Sequence, residues 1–373
     1  MHEHAPRSLS DAEKLAWLRL IRSENVGPVT FFQLLRRFGT AAAALQALPE
    51  LARRGGRPRP IQVCSEAQAS REIEALAEAG AQFVALGEPH YPPALAAIDD
   101  APPLLSVKGN AHLLTRRALA IVGARNASAL AVRFTRAIAA EIGRQGMLIV
   151  SGMARGIDTA AHLGALESGT VAVLGGGVDV VYPPENAALY EQIAATGAVV
   201  AEMPVGTQPL ARHFPRRNRL ISGMALGVLV AEAAPHSGSL ITARFALEQG
   251  REVFAVPGSP LDPRARGGND LIRQGAILVE TAEDVMREIA DREQPMAERA
   301  TAGLAAPPPA APDEAELALS RSAFLRLLGS APVELDEVMR QSGIGPAVLL
   351  TLVLELELAG RLERHPGNKV SLL

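Results

Sequence analysis

Between about Ala81 and Ile289 the chain repeats one pattern: a short, uninterrupted apolar run followed by an amphipathic helical stretch. The runs are Ala118 to Val122, Leu148 to Val150, Val171 to Leu174, Val199 to Ala201, Val228 to Val230, Val253 to Val256 and Ile277 to Val279. A strand with one wet face alternates apolar and polar residues. A strand apolar at every position is covered on both faces, as happens when crossover helices pack above and below a parallel sheet. Seven such units in a row predict a doubly wound, Rossmann-like α/β domain over residues 81–290.

The flanks follow other periods. In residues 1–80 the apolar positions fall at helical spacing, at Leu15, Leu18, Leu20 and Ile21 and then at Phe31, Leu34, Leu35 and Phe38. Asn25-Val26-Gly27-Pro28 turns the chain between those helices, a pattern similar to a helix-hairpin-helix or SAM-like module. Such a turn either offers backbone N–H groups to a DNA phosphate or simply joins two helices, and both readings stay open. Arg53 to Pro60, rich in Arg, Gly and Pro, reads as a linker or exposed loop. Residues 291–316, with Ala305-Ala306-Pro307-Pro308-Pro309-Ala310-Ala311-Pro312, read as a semi-rigid linker. Residues 317–373 then hold helices near Phe324 to Leu328, Leu335 to Gln341 and Pro346 to Leu358, and a hairpin turning at Gly367-Asn368. Three helices and a hairpin predict a winged-helix domain. Its charge argues against duplex binding: Asp313 to Leu373 carries 9 acidic and 6 basic residues. The candidate recognition helix has Glu355 and Glu357 and no base, whereas a helix entering the major groove needs Arg, Lys, Asn or Gln. A protein-interaction module fits better.

Composition sets the outer limits. A length of 373 residues suits two or three domains with ample core. A net charge of −3 draws the whole molecule toward no polyanion, so any nucleic-acid contact must come from local clustering. Cys64 is the single cysteine, which excludes an internal disulfide and a cysteine-based zinc cluster. The longest apolar run, around Met224 to Pro235, is too short to span a bilayer and contains Glu232, and the first twenty residues lack a signal peptide's apolar core. The expectation is a soluble cytoplasmic protein without a membrane partner, a metal or a cofactor.

The chemistry concentrates where strands end. In an open parallel sheet, ligands bind outside the strands' carboxyl ends, where loop N–H groups and helix N-termini point outward. Here those ends are crowded with small residues: Gly123-Ala124-Arg125-Asn126-Ala127-Ser128, then Ser151-Gly152-Met153-Ala154-Arg155-Gly156-Ile157-Asp158, then Gly175-Gly176-Gly177, and finally Ser237-Gly238-Ser239. Several such loops on one edge point to a phosphate-bearing ligand. A dinucleotide fits poorly, because Val180 stands where the third glycine after Gly175 and Gly177 belongs, and no Gly-Lys-Ser/Thr occurs to form a P-loop. The second signal is Arg212-His213-Phe214-Pro215-Arg216-Arg217-Asn218-Arg219, which has no acidic residue. Read as a basic loop feeding a packed helix at Leu220 and Ile221, it offers Phe214 for base stacking and arginines for the flanking phosphates. Asp158 and His162, four apart, invite an acid/base reading, but no third group completes a site. Asp158 as a helix cap and His162 as a packed side chain fit better.

These motifs, taken in order, resemble the DNA-processing protein A (DprA/Smf) family. The resemblance rests on Ile121-Val122-Gly123-Ala124-Arg125 with Ser128, Ser151 to Asp158 with His162, Val173-Leu174-Gly175 to Tyr182-Pro183, Phe214 to Arg219, Ser237 to Ala243, and Val256-Pro257-Gly258. It covers about Tyr91 to Val279. It implies a protein that binds single-stranded DNA, dimerises through the Rossmann-like domain and helps load RecA during natural transformation, and that is not an enzyme. It also implies a DNA pocket lined by Arg125 and the 212–219 region, with Phe214 stacking on a base. The expected DNA-contacting set is thus Gly123, Arg125, Ser128, Ser151, Gly152, Arg155, Gly175, Gly176, Arg212, Phe214, Arg217, Asn218, Arg219, Ser237, Gly238 and Ser239. One departure is Glu185, near where some members carry a lysine. Two other functions compete. A nucleotide phosphoribohydrolase would need a glycine run where this chain has Pro235-His236-Ser237-Gly238-Ser239, with Glu248 the nearest helix glutamate. A transcription regulator would need a less acidic recognition helix.

Overall fold

Ser10 opens the first helix with a reciprocal cap: its hydroxyl accepts from Glu13 N–H, and the Glu13 carboxylate accepts from Ser10 N–H. The structure is a computed structural model that describes residues 8–299, 313–365 and 367–373. Helix α1 (Asp11–Arg22) is followed by α2 (Pro28–Phe38), which starts on a proline whose missing N–H costs nothing in the first turn, and by α3 (Ala41–Arg54), capped by Thr40. The apolar stripes read from the sequence meet in one core that includes Leu20, Phe31, Leu34 and Leu48.

After α4 (Glu66–Glu78) the chain enters the sheet through β1 (Ala81–Ala85), the short α5 (Pro93–Ala96) and β2 (Leu104–Gly109). The doubly wound part then runs β3 (Ala118–Val122), α6 (Ala129–Arg144), β4 (Leu148–Ser151), α7 (Ile157–Ala165), β5 (Thr170–Val173), α8 (Ala187–Thr196) and β6 (Ala198–Ala201). It continues through α9 (His213–Gly223), β7 (Gly227–Val230), α10 (Gly238–Glu248), β8 (Glu252–Ala255), α11 (Arg266–Arg273), β9 (Ile277–Leu278) and α12 (Ala282–Arg299). The sheet has nine strands in the order β1-β2-β6-β5-β4-β3-β7-β8-β9. From β6 to β9 every pairing is parallel, and each of the seven apolar runs forms one of these strands. Cores on the two faces, one around Val150, Val173 and Val228 and the other around Ile121, Ile149 and Phe254, explain why those runs carry no polar alternation.

Two features differ from the sequence reading. β1 and β2 form an antiparallel extension, with β2 antiparallel to β6, and β1 begins with the half-buried Ala81 and the exposed Gln82 at the sheet's edge. Residues 213–219, read as part of a basic loop, are instead the first turns of α9. Arg217, Asn218 and Arg219 are buried there, because each finds partners that a solvated loop could not supply.

The C-terminal segment forms α13 (Glu314–Leu327), β10 (Val333–Glu334), α14 (Leu335–Ser342), α15 (Pro346–Leu358), β11 (Leu362–His365) and β12 (Lys369–Leu372), the winged-helix order with strands arranged β10-β12-β11. Gly367 and Asn368 take the positive φ values that close its hairpin. Of the expected linker 291–316, the first residues continue α12, the last open α13, and 300–312 lie outside the described residues.

The described residues divide into two units: one runs from Glu72 through α12, and the other joins Ser10–Arg71 to the C-terminal elements. Within the second unit α15 serves two cores. Leu349, Leu352 and Leu356 pack inside the winged helix, while Leu354 and Leu358 pack with the α1–α3 helices. A Cβ on Gly55 would lie 2.0 Å from the Glu355 carbonyl oxygen, so the end of α3 touches the α15 backbone. Glu355 is fully buried and pairs with Arg321, and Asn25 of the α1–α2 turn donates to the Leu358 carbonyl at 3.1 Å. That turn and the candidate recognition helix are packed on each other.

Candidate functional site

β3 sits between β4 and β7, and the chain leaves it in one direction toward β6 and later returns on the other side, so the switch point lies between β3 and β7. A nucleotide phosphate would normally settle there on the α6 N-terminus. In this chain Glu232, at the end of β7, fills that place. Its carboxylate accepts from Ser128 N–H at 2.9 Å and its carbonyl from Ala124 N–H at 2.7 Å. Ser128 Oγ caps α6 by accepting from Ala131 N–H. The usual phosphate seat is thus held by the protein's own carboxylate.

The open cleft lies on the other side, above β4 and β5. It is lined by Arg125 after β3, Gly152, Ala154 and Arg155 after β4, Tyr182 to Glu185 after β5, and Phe214 and Arg217 of α9. Its floor depends on an unusual backbone: Met153 is fully buried yet takes φ +63°, held by Asn186, whose Nδ2 donates to the Met153 carbonyl at 2.8 Å. This bend aims the N–H groups of Gly152 and Ala154 at Asp158 Oδ2, each at 3.2 Å. Asp158 therefore secures the preceding loop rather than the start of α7. Burial pushes its pKa up, while Arg217 and these N–H groups pull it down.

Arg217 lies beneath the cleft with its Nη1 donating to the carbonyls of Gly152 and, at 2.8 Å, of Val173. A Cβ on Gly152 would fall 2.0 Å from that nitrogen, so glycine is what admits the guanidinium. Burial lowers the Arg217 pKa to about 10, still well above neutrality, so a cation is retained under the cleft. Its Nε has no hydrogen-bond partner among the described residues. Phe214 stands above it, with guanidinium carbons 5.2 Å (Arg125) and 5.7 Å (Arg217) from the ring centre. The Tyr182 ring is 5.7 Å away, tilted by 44°. Gly175 backs Phe214, where a Cβ would come within 3.2 Å of the ring. Burial lowers the His162 pKa to about 3, so it is neutral, and its Nδ1 lies 2.7 Å from Thr170 Oγ1.

Of the residues expected to touch DNA, the fold brings together Arg125, Gly152, Arg155, Phe214 and Arg217, with Gly175 behind the ring. Arg212 is exposed at the start of α9. The others have structural partners. Gly123 packs against Ile157, Ser151 Oγ donates to the Ile121 carbonyl, and Gly176 abuts Thr207. Asn218 Nδ2 donates to the Gly238 carbonyl, the Ser237 and Ser239 hydroxyls bond each other, and Arg219 pairs with Glu202 at 2.5 Å. Tyr182 was not singled out for the cleft. Its signal was available, as one of three tyrosines in the chain and the one that follows β5 in a glycine-rich stretch. Among the described residues there is no cluster of metal-ligating side chains and no helix long and apolar enough to cross a membrane.

The sequence matches the family described as DNA recombination-mediator protein A over residues 82–290, and the DprA-like N-terminal HHH domain and DprA winged helix domain over 11–75 and 307–368. The chain belongs to the DprA/Smf family. Relatives include Protein Smf of Escherichia coli, 42% identical over 291 residues that make up 76% of this chain and 75% of the relative. DNA processing protein DprA of Streptococcus pneumoniae is 47% identical over 200 residues, 53% of this chain and 71% of that protein. The crystal structure of S. pneumoniae DprA aligns with TM-score 0.64 and 36% identity, covering 75% of this chain and 99% of that one. DNA processing protein A of Helicobacter pylori, whose structure concerns its single-stranded DNA binding mode, aligns with TM-score 0.52 and 27% identity over 57% of this chain and 98% of that one. The DprA/Smf pattern accounts for the Rossmann-like sheet and both flanking modules of the chain.

Proposed function

We propose that this DprA/Smf member is a binding protein for single-stranded DNA, with the Phe214 cleft as its site. The observation that carries the reading is the pairing of an aromatic ring with the exposed Arg125 cation, which has no contacting carboxylate among the described residues. Phe214 and the partly exposed Tyr182 offer surfaces on which a base stacks, Arg125 lies over the ring, and Arg217 sits beneath it as a buried cation partly offset by Asp158. Arg155 adds to the positive rim, and Arg212 is exposed at the start of the helix that carries Phe214. The single-stranded DNA binding mode of the H. pylori relative supports the same ligand. Protection of the strand and its delivery to RecA rest on family membership. So does dimerisation through the Rossmann-like domain, for which the open sheet edge at β9, with Leu278 43% exposed, is a suitable surface.

The nucleotide-hydrolase alternative has less support. Glu248, the carboxylate it needs, lies at the C-terminal end of α10 and pairs with Arg244, away from the strand-end loops. The test is fluorescence anisotropy of a labelled oligo-dT over a salt series. Binding weakens with a slope of about −0.7 per phosphate neutralised. Arg125→Ala, an exposed side chain, costs about tenfold in affinity, and duplex of the same length binds less well. Affinity indifferent to both salt and Arg125→Ala would overturn the proposal.

A further inference from the structure

Among the residues that line the cleft, Glu185 is the one carboxylate. Its backbone is firmly held: Pro183 and Pro184 precede it, and Asn186 follows with Nδ2 bonded to the Met153 carbonyl at 2.8 Å and to Thr159 Oγ1 at 3.0 Å. Its side chain is not. The contact with Arg155 is loose, at 3.9 Å, and both side chains are more than 60% exposed, at 63% for Arg155 and 62% for Glu185. An exposed pair of this kind is worth little and is readily exchanged. An arriving phosphate would take Arg155, leaving the carboxylate facing whatever lies against Phe214 and Tyr182.

An ionised carboxylate is acceptor-only. Stacking on the two rings does not distinguish bases, because every base has a π-face. The carboxylate does distinguish them by their edges. Cytosine presents an amino group at the position where thymine presents a carbonyl oxygen, and adenine and guanine also carry exocyclic amino groups. We propose that Glu185 is the specificity-determining residue of the cleft: it accepts a hydrogen bond from the exocyclic amino group of the stacked base and disfavours thymine, whose O4 it repels. This inference rests on the cleft's taking a base from a single strand.

The experiment compares labelled oligo-dC and oligo-dT of equal length at pH 8, where cytosine is neutral, with the full-length wild type, Glu185→Ala and Glu185→Gln. The wild type binds oligo-dC about tenfold more tightly, the low end of what one hydrogen bond to a charged acceptor supplies. Glu185→Ala brings the ratio to about one and strengthens binding of oligo-dT. Glu185→Gln, which donates as well as accepts, also brings it to about one. Equal affinities in the wild type, with both variants strengthening both oligonucleotides alike, would mean that Glu185 is only a repulsive charge and would overturn the inference while leaving the cleft in place. A cytosine preference that survives in both variants overturns it too. If the wild type binds neither oligonucleotide, the reading of the cleft itself falls, and this inference with it.

Discussion

The strand-end cleft and the helical unit of α1–α3 and α13–α15 are both rich in arginine and use it in opposite ways. In the helical unit arginines meet carboxylates: Arg321 with Glu355, Arg364 with Glu357 at 2.9 Å, Arg57 with Glu24 at 2.7 Å, and Arg54 with Glu50 at 2.8 Å and Glu314 at 2.6 Å. Each such pair is close to neutral when seen from outside. In the cleft, Arg217 is held by carbonyl oxygens and its charge is partly offset by the buried Asp158, Arg125 lies over an aromatic ring, and Arg155 has, among the described residues, only its loose carboxylate. Dipoles and π-faces orient a guanidinium without cancelling its charge. Proximity to a carboxylate, more than the number of arginines, therefore decides which surface attracts a polyanion. A chain of net charge −3 can in this way carry a local cationic site.

The contrast is sharpest in what each arginine's removal does. Arg217→Met leaves the Gly152 and Val173 carbonyls buried without their donor and removes the cation that offsets Asp158. It lowers the unfolding free energy by about 3 kcal/mol and abolishes oligonucleotide binding. Denaturant titration together with anisotropy checks both effects, and a stable variant that still binds would break the comparison. In the helical unit Glu355→Ala strands Arg321 and the half-buried Arg37, whose pKa burial already lowers. It destabilises that unit by about 2 kcal/mol and leaves oligo-dT affinity unchanged, whereas a loss of affinity would implicate the helical unit in binding.

A third effect concerns pH. His162 titrates near its ordinary value of 6.5 when unfolded and at about 3 when folded, because burial and Arg217 disfavour the cation. A depressed folded pKa means that the unfolded chain takes up a proton first as pH falls. The stability contributed by the neutral ring is therefore complete above pH 6.5 and is lost on going down toward pH 3, at up to about 1.4 kcal/mol per pH unit. His162→Leu flattens this part of the pH–stability profile, and an unchanged slope would show that other groups set it.

Much of this arrangement was legible in the sequence. Uninterrupted apolar runs identified the parallel strands, since no polar alternation survives between two helical layers. The glycine-rich loops fall where those strands end. What the sequence did not reveal was which small residues shape the cleft. Gly152 admits the Arg217 guanidinium, whereas Gly123 only makes room for Ile157, and both read alike in sequence. Arg217 and Arg219 are two apart in one basic segment, yet Arg219 is neutralised by Glu202, a residue 17 positions earlier that only the fold brings near. The α15 helix looked like an acidic recognition helix, but its two glutamates serve Arg321 and Arg364.

The central claim, that single strands are held at the cleft and not on the helical unit, is tested most directly by photocrosslinking. A bromodeoxyuridine-substituted oligonucleotide would be irradiated with the full-length protein and the modified peptides identified by mass spectrometry. The account predicts adducts at Phe214 and Tyr182 that disappear in Phe214→Ala. Adducts concentrated instead on α2, α14 or α15, and unaffected by Phe214→Ala, would contradict it.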